Sequence, residues 1–376
     1  MTNTNSTNSP KFTTIDLFAG GGGCFIGFEQ AGFENKLYNE FNKNVAAVFK
    51  HNFPNVNAIV DDIASIDFKP YAGLIDVVVG APPCQSFSSA GKQEGLSDPR
   101  GLMFMQYARC LDEVKPKMFV FENVFNLLTH NKGESLRIIR QHFKDQGYKT
   151  LVKVLNANDF GVAQNRNRLI IYGVRDDLDH TLFKLPEALS HKPVINDVFK
   201  AGSYYSTDVE TLEPTDQKKK GYLYTERRHR VMSYVPEGGD YRSLPENDPI
   251  YGNVRKDWMG AMYESTKHKK DENRTGNSGI ARRLSRNRPS PTTLTCCVYK
   301  RNEFCHPVET RPLTVREYAR VQSWPDHYEL VPEGKQFSIS NAYYYIGNST
   351  PPQMVYYALA LPIKNFLTKL NESLGC

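Results

Sequence analysis

Over its first 175 residues the chain alternates short β-rich runs with helix-length stretches. That rhythm constrains the fold more than any other feature. Parallel strands need long crossovers, so a βαβ repeat implies a mostly parallel sheet covered by helices on both faces. The strand candidates are 13–18, 37–39, 74–79, 118–121, 148–155 and 169–174. Helical patterns fall after the glycine turn 20–23 and at 42–52, 102–114 and 134–146. The apolar run 74–79, bounded by Gly73 and Gly80, reads as a strand buried on both faces. From about residue 180 the rhythm fails, and the stretch to about 310 is rich in Pro, Gly, Tyr and basic residues. Helical patterns return at 314–322 and 353–370. The expected organisation is a tail over 1–11, a first α/β domain over 12–180, an inserted loop-rich unit over 181–310, and a return to the first domain over 311–376.

Composition excludes several classes. No run of 18 apolar residues occurs in the 376, so no membrane-spanning helix is expected. Residues 1–10 are rich in Asn, Thr and Ser, without the apolar stretch of a signal peptide, and read as a disordered tail of a cytoplasmic protein. The seven cysteines are odd in number and scattered, with no CxxC pair, which argues against a disulfide framework or a metal cage. The net charge of +6 is unevenly spread: residues 218–301 hold 19 Lys+Arg against 9 Asp+Glu, an excess of +10 that leaves −4 for the remainder. A basic segment joined to a slightly acidic body suits a polyanionic partner.

Four motifs carry the chemistry. Asp16-Leu17-Phe18-Ala19-Gly20-Gly21-Gly22-Gly23 runs from a strand into a glycine turn and a helix, so a ligand can approach the backbone. Glu40, at the end of the next strand, is placed to accept hydrogen bonds from a ribose, and Asp62, after the third, to meet an adenine edge. Nicotinamide, flavin and adenosylmethionine sites share this geometry. Gly80-Ala81-Pro82-Pro83-Cys84-Gln85-Ser86 follows the buried strand, where doubly wound folds bind ligands, and a thiolate there is a nucleophile. Phe121-Glu122-Asn123-Val124 leaves another strand end and brings a carboxyl group towards the same cleft. In Gln164-Asn165-Arg166-Asn167-Arg168 the arginines are two apart on extended chain and point the same way, towards one polarised group.

In this order the motifs resemble those of the DNA (cytosine-5-)-methyltransferase family. The resemblance continues in Arg311-Pro312-Leu313-Thr314-Val315-Arg316-Glu317, similar to the family's ninth motif, and Gly347-Asn348-Ser349, similar to its tenth. It covers roughly residues 12–175 and 311–370. It implies the doubly wound, mostly parallel sheet of S-adenosylmethionine-dependent methyltransferases with an inserted, smaller target-recognition domain. It further implies an S-adenosylmethionine site lined by Phe18, Gly20, Gly22, Gly23, Glu40, Asp62, Ile63 and Asn348, with Pro83 at its edge. Cys84 would add to C6 of a cytosine flipped out of duplex DNA, and Glu122 would hold the N3 edge, protonated or sharing a proton. Arg166 and Arg168 would steady the base and Glu122, and Asn123 would position the loop. No metal is implied.

The inserted unit then becomes the DNA reader. Arg227, Arg228, Arg230, Arg282, Arg283, Arg286 and Arg288 are its candidate contacts, with Thr293-Leu294 similar to the family's Thr-Leu element. The partners implied are double-stranded DNA and a restriction endonuclease acting on the same site, the methylase itself being a monomer in a bacterial or phage setting. Two rivals share the scaffold: a tRNA cytosine-5-methyltransferase and a catalytically inactive DNA-binding regulator.

Overall fold

The computed structural model describes residues 11–83, 101–199, 224–259, 281–295, 304–332, 334 and 338–375. Cys84, the residues that follow it to 100, and residues 1–10 lie outside the described residues. The chain divides into two compact units, one of Met1–Leu155, Asn167–Glu187 and Met354–Cys376, the other of Asn156–Arg166 and Ala188–Gln353.

The first unit is built on a seven-stranded sheet. Its strands are β1 (Thr13–Leu17), β2 (Glu34–Asn39), β3 (Ala58–Ile59), β4 (Val77–Gly80), β5 (Met118–Val124), β6 (Tyr148–Asn156) and β7 (Asn167–Arg175), in the order β3-β2-β1-β4-β5-β7-β6. The pairs β1–β2, β1–β4, β2–β3 and β4–β5 are parallel, and β5–β7 is antiparallel. Helices α1 (Gly23–Gln30), α2 (Lys43–Asn52), α3 (Gly101–Val114) and α4 (Glu134–Asp145) form the crossovers. The expected doubly wound, mostly parallel sheet is what the chain forms.

Period and turn chemistry explain most of these elements. All four residues of β4 are buried, as a strand covered on both faces requires. Asn42 caps α2, its side chain accepting from the amides of Asn44 and Val45. Between sheet and helices lies an aromatic core in which Phe119 meets Phe143 at 4.4 Å and Tyr148 at 5.2 Å between ring centroids. β5 runs to Val124, beyond the expected end at 121, because the ladder with β7 continues through Val124–Arg168 after β4 has ended at Gly80.

The C-terminal pattern proves to be three pieces: a turn of α-helix over Pro352–Met354, a π-helical stretch over Val355–Ala360 and an α-helix over Leu361–Leu374. Pro362 supplies the reason. It has no N–H for the carbonyl four residues back, and its ring crowds that carbonyl, so the preceding turn widens. The carbonyl concerned, of Ala358, accepts the hydroxyl of Tyr172 from β7 at 2.8 Å instead. The stretch from Met354 to Cys376 belongs to the first unit.

The segment 311–353 belongs to the second unit because its contacts are made there. Thr314 and Glu317 form a reciprocal capping box at the start of helix Val315–Val321, and Arg311 holds Glu317 through two bonds of 2.8 Å. Tyr343, on helix Ile339–Asn348, donates to Leu313 O at 2.7 Å. A small separate core of Val231, Met232, Val235, Leu244, Val254, Ala281 and Cys305 supports the basic part. Cys24, Cys110 and Cys305 are buried thiols outside any disulfide, packed as small side chains.

Candidate active site

Strand register builds the site's edge. Leu17 pairs with both Asn39 and Gly80, and Gly80 pairs with Phe121, so β2, β1 and β4 reach their carboxyl ends on one row, which β5 crosses at Phe121 before running on to Val124. The residues that follow that row are Glu40, Phe18, Ala81 and Glu122. The strand order reverses between β1 and β4, and such a reversal opens a crevice at the carboxyl edge.

The glycine turn is sharp. Phe18, Gly20 and Gly22 have φ of 55°, 59° and 95°, and for Phe18, which has a Cβ, that left-handed conformation is strained. A Cβ on Gly22 would come 2.6 Å from the Phe49 ring, so this glycine serves close packing of the turn. The amide of Gly20 donates to Glu40 Oε2 at 2.9 Å, and the amide of Asn42 donates to Oε1 at 2.7 Å. Burial pushes the Glu40 carboxyl above the usual carboxylate range. Asn39, buried beside it, donates to Ile59 O at 3.2 Å and Asp61 O at 3.0 Å. It thereby holds the loop bearing Asp62, whose side chain accepts from Ala64 N, and the buried Ile63.

Two residues here escaped the sequence reading. Phe41, directly after Glu40, is 71% exposed and lines an open depression with Asn42, Lys43, Val60 and Asp61. Its signal was an aromatic residue at a strand's carboxyl end. Asp16 is buried, its Oδ2 has no hydrogen-bond partner among the described residues, and burial pushes its pKa up to about 8, partly opposed by the Phe25 amide. An exposed aromatic face next to a carboxylate with both oxygens anchored is a donor set that fits a nucleoside such as that of S-adenosylmethionine.

At β5 the alternation of the strand separates two jobs. Glu122 shares a face with Arg168, which lies opposite Val124 on β7, and Arg168 Nε meets Glu122 Oε1 at 2.8 Å with both side chains about a tenth exposed. Asn123 turns the other way and donates to Pro82 O at 3.0 Å. That bond fixes the Ala81-Pro82-Pro83 approach to Cys84 against β5. The sequence reading gave Arg166 the same target as Arg168. The structure directs it elsewhere: within the second unit its Nη1 donates to Thr293 O at 3.1 Å, and its Nη2 to Gly347 O at 2.8 Å and Ser349 O at 3.0 Å. Arg166 precedes β7, where the chain bridges Gln164 to Ser290 and the alternation of a regular strand does not yet apply. Asn348 ends helix Ile339–Asn348, exposed, in that same unit.

The expected DNA contacts divide. Arg283 is buried and gives all five guanidinium donors to protein: Nε to Val235 O, Nη1 to His306 O and Glu309 O, and Nη2 to Met232 O and Thr310 Oγ1. It holds the small core together and is withdrawn as a DNA contact. Thr293 is fully buried, its hydroxyl donating to Gln164 Oε1 at 3.2 Å, and is withdrawn as well. Arg230 pairs with Asp248 at 2.9 Å and Arg286 with Glu237 at 3.0 Å, while Arg282 lies 3.7 Å from Asp240. Arg227, exposed, and Arg228, half-buried, lie over the rings of Tyr251 and Tyr224.

Comparison with known proteins matches this architecture. The family model "C-5 cytosine-specific DNA methylase" matches residues 12–364. The Type II methyltransferase M.PspPI of Psychrobacter sp. (strain TA137) is 41% identical over 97% of this chain and 81% of its own. M.Eco47II of Escherichia coli is 38% identical over 96% and 81%, and M.Sau96I of Staphylococcus aureus 34% over 98% and 79%. Among solved structures, a Spodoptera frugiperda DNMT2 variant superposes with a TM-score of 0.64 at 15% identity, covering 95% of this chain and all of that one. The Entamoeba histolytica methyltransferase EhMeth gives 0.63 at 14%, covering 97% and 99%. With its family model spanning residues 12–364 and these relatives matched over nearly the whole of this chain and about four-fifths of their own, the chain belongs to the C-5 cytosine-specific DNA methylase family.

Proposed function

We propose that this DNA cytosine-5 methyltransferase modifies one cytosine within a specific duplex sequence, with Cys84 as the nucleophile and Glu122 as the group that holds the base. S-adenosylmethionine would supply an electrophilic methyl group on a sulfonium. The glycine turn after β1, Glu40, Phe41 and the Asp62–Ile63 loop would hold it, the carboxylates taking hydroxyl and amine hydrogens and the aromatic face taking the adenine. Cytosine C5 is too poor a nucleophile to take a methyl group unaided. Addition of the Cys84 thiolate at C6 would raise its electron density, and Glu122 would favour that addition by a hydrogen bond at N3. Arg168 orients the Glu122 carboxyl. Transfer of the C5 proton to a base such as water, with the C6–S bond breaking and Cys84 leaving as its thiolate, would then restore the ring. The ring carbons are out of reach inside the stack, so the base must be extruded.

The observation that carries this reading is the common row at the sheet edge, where Glu122 with its Arg168 partner stands beside the Pro82 carbonyl that Asn123 holds. A cytoplasmic monomer that protects host DNA from an endonuclease of the same specificity fits the Type II names of its relatives. The test is incubation with methyl-labelled cofactor and either duplex DNA or tRNA, alongside Cys84→Ala. Label on DNA alone, lost in Cys84→Ala with cofactor binding kept, is expected. Label confined to tRNA, or an active Cys84→Ala, would refute the assignment.

A further inference from the structure

Four polar atoms of Thr293-Leu294 are held by side chains from distant parts of the second unit. Gln164 Oε1 accepts from Thr293 N at 3.0 Å and from its hydroxyl at 3.2 Å. Arg166 donates to Thr293 O at 3.1 Å, and the hydroxyl of Tyr318 donates to Leu294 O. Leu294 nevertheless keeps its side chain 41% exposed. A dipeptide anchored through three of its backbone polar atoms, with an apolar side chain left outward, is built to present that side chain.

The other hand of Arg166 holds the end of helix Ile339–Asn348, donating to Gly347 O at 2.8 Å and Ser349 O at 3.0 Å. The last carbonyls of a helix lack intrahelical partners and carry its negative pole, so a buried guanidinium there satisfies both needs. The two backbones also touch. A Cβ on Gly347 would lie 2.2 Å from Leu294 O and 2.9 Å from Thr295 N, approaches no side chain tolerates. Gln322 donates to Ile346 O at 2.8 Å and braces the same helix end.

We propose that Arg166 is a positioning residue that locks Thr293-Leu294, the expected Thr-Leu element, onto the helix end carrying Asn348, so that the two move as a single rigid element. The proposal rests on the methyltransferase reading for what the element faces, but the lock itself does not depend on it. A guanidinium spans three carbonyls, and an ammonium on a flexible stem cannot hold all three together. Arg166→Lys therefore loosens the lock while keeping the charge, and Gly347→Ala wedges the same junction open from the other side.

Two measurements test this. Amide hydrogen exchange at Thr293 and Ser349 should speed up by about tenfold or more in Arg166→Lys, each charged hydrogen bond removed being worth roughly that factor. In steady-state methylation, Arg166→Lys and Gly347→Ala should both raise KM for DNA and for cofactor by about tenfold, with kcat changed much less. Their double variant should fall short of the product of the single effects, because both act on one junction. If Gly347→Ala does not fold, Tyr318→Phe, which removes only the bond to Leu294 O, takes its place. Unchanged exchange in Arg166→Lys overturns the lock. A collapse of kcat with both KM values intact would instead put Arg166 at the reacting base. A wild-type protein that methylates no DNA would sink the functional reading, while the exchange data would still judge the lock.

Discussion

At the scale of single residues, the balance of burial against bonding decides behaviour. Asp16 sits in the core below the glycine turn with its pKa pushed from 3.8 to about 8. Its folded pKa is raised, so folding takes up a proton. The stability this proton confers is complete below the unfolded value and is lost as pH rises through about 8. The expected outcome is a melting temperature that declines from pH 6 to about pH 8.5, and a flatter profile for Asp16→Asn, which mimics the neutral form. An identical decline in the variant would remove Asp16 as its source. Glu122 offers the second test at this scale. Arg168→Ala leaves its carboxylate without the cation at 2.8 Å, and kcat should drop about a hundredfold by labelled-methyl incorporation. Arg168→Lys should recover only part, because a point charge does not orient the carboxyl. Equal activity of both variants would mean that charge alone matters there.

At the scale of elements, local pattern and tertiary packing divide the work unevenly. The buried run 74–79, the Asn42 cap and the helical periods could all be read locally, since a strand's alternation or a helix's cap needs only neighbouring residues. The length of β5 was hidden because it depends on β7, some fifty residues on. The π-helical stretch escaped too, although Pro362 was in view, because its release depends on the Tyr172 hydroxyl reaching Ala358 O. Gly173 in β7 shows how packing reverses a propensity. Alanine in a strand is ordinarily better than glycine by about 0.5–1 kcal/mol. Here the added Cβ would lie 1.9 Å from the Phe119 ring, which is wedged against Phe143 and Tyr148. Gly173→Ala should therefore destabilise the protein by about 1–3 kcal/mol in thermal or denaturant unfolding. A stabilised variant would show that the ring cluster yields freely.

For the whole molecule, the uneven charge suggested a DNA-binding segment but not which charges are available to DNA. Salt dependence separates them. Removing one phosphate-binding cation should reduce the slope of log affinity against log salt by about 0.9. Arg227→Ala and Arg228→Ala are expected to do so with little change in melting temperature. Arg283→Ala should lower the melting temperature sharply, since it strips five bonds from the small core of the second unit. A lower slope with unchanged melting in Arg283→Ala would reverse that division.

Reading along the chain was enough to specify the doubly wound sheet, the order of its motifs and the carboxyl-edge positions of Glu40 and Glu122, because strand period, turn chemistry and motif spacing are local properties. It took the folded molecule to establish that Arg168 holds Glu122 while Arg166 clamps carbonyls 127 to 183 residues away, and that Arg283 is a core brace. An arginine's partner depends on which distant backbone is brought within about 3 Å of it, and no spacing along the chain records that distance.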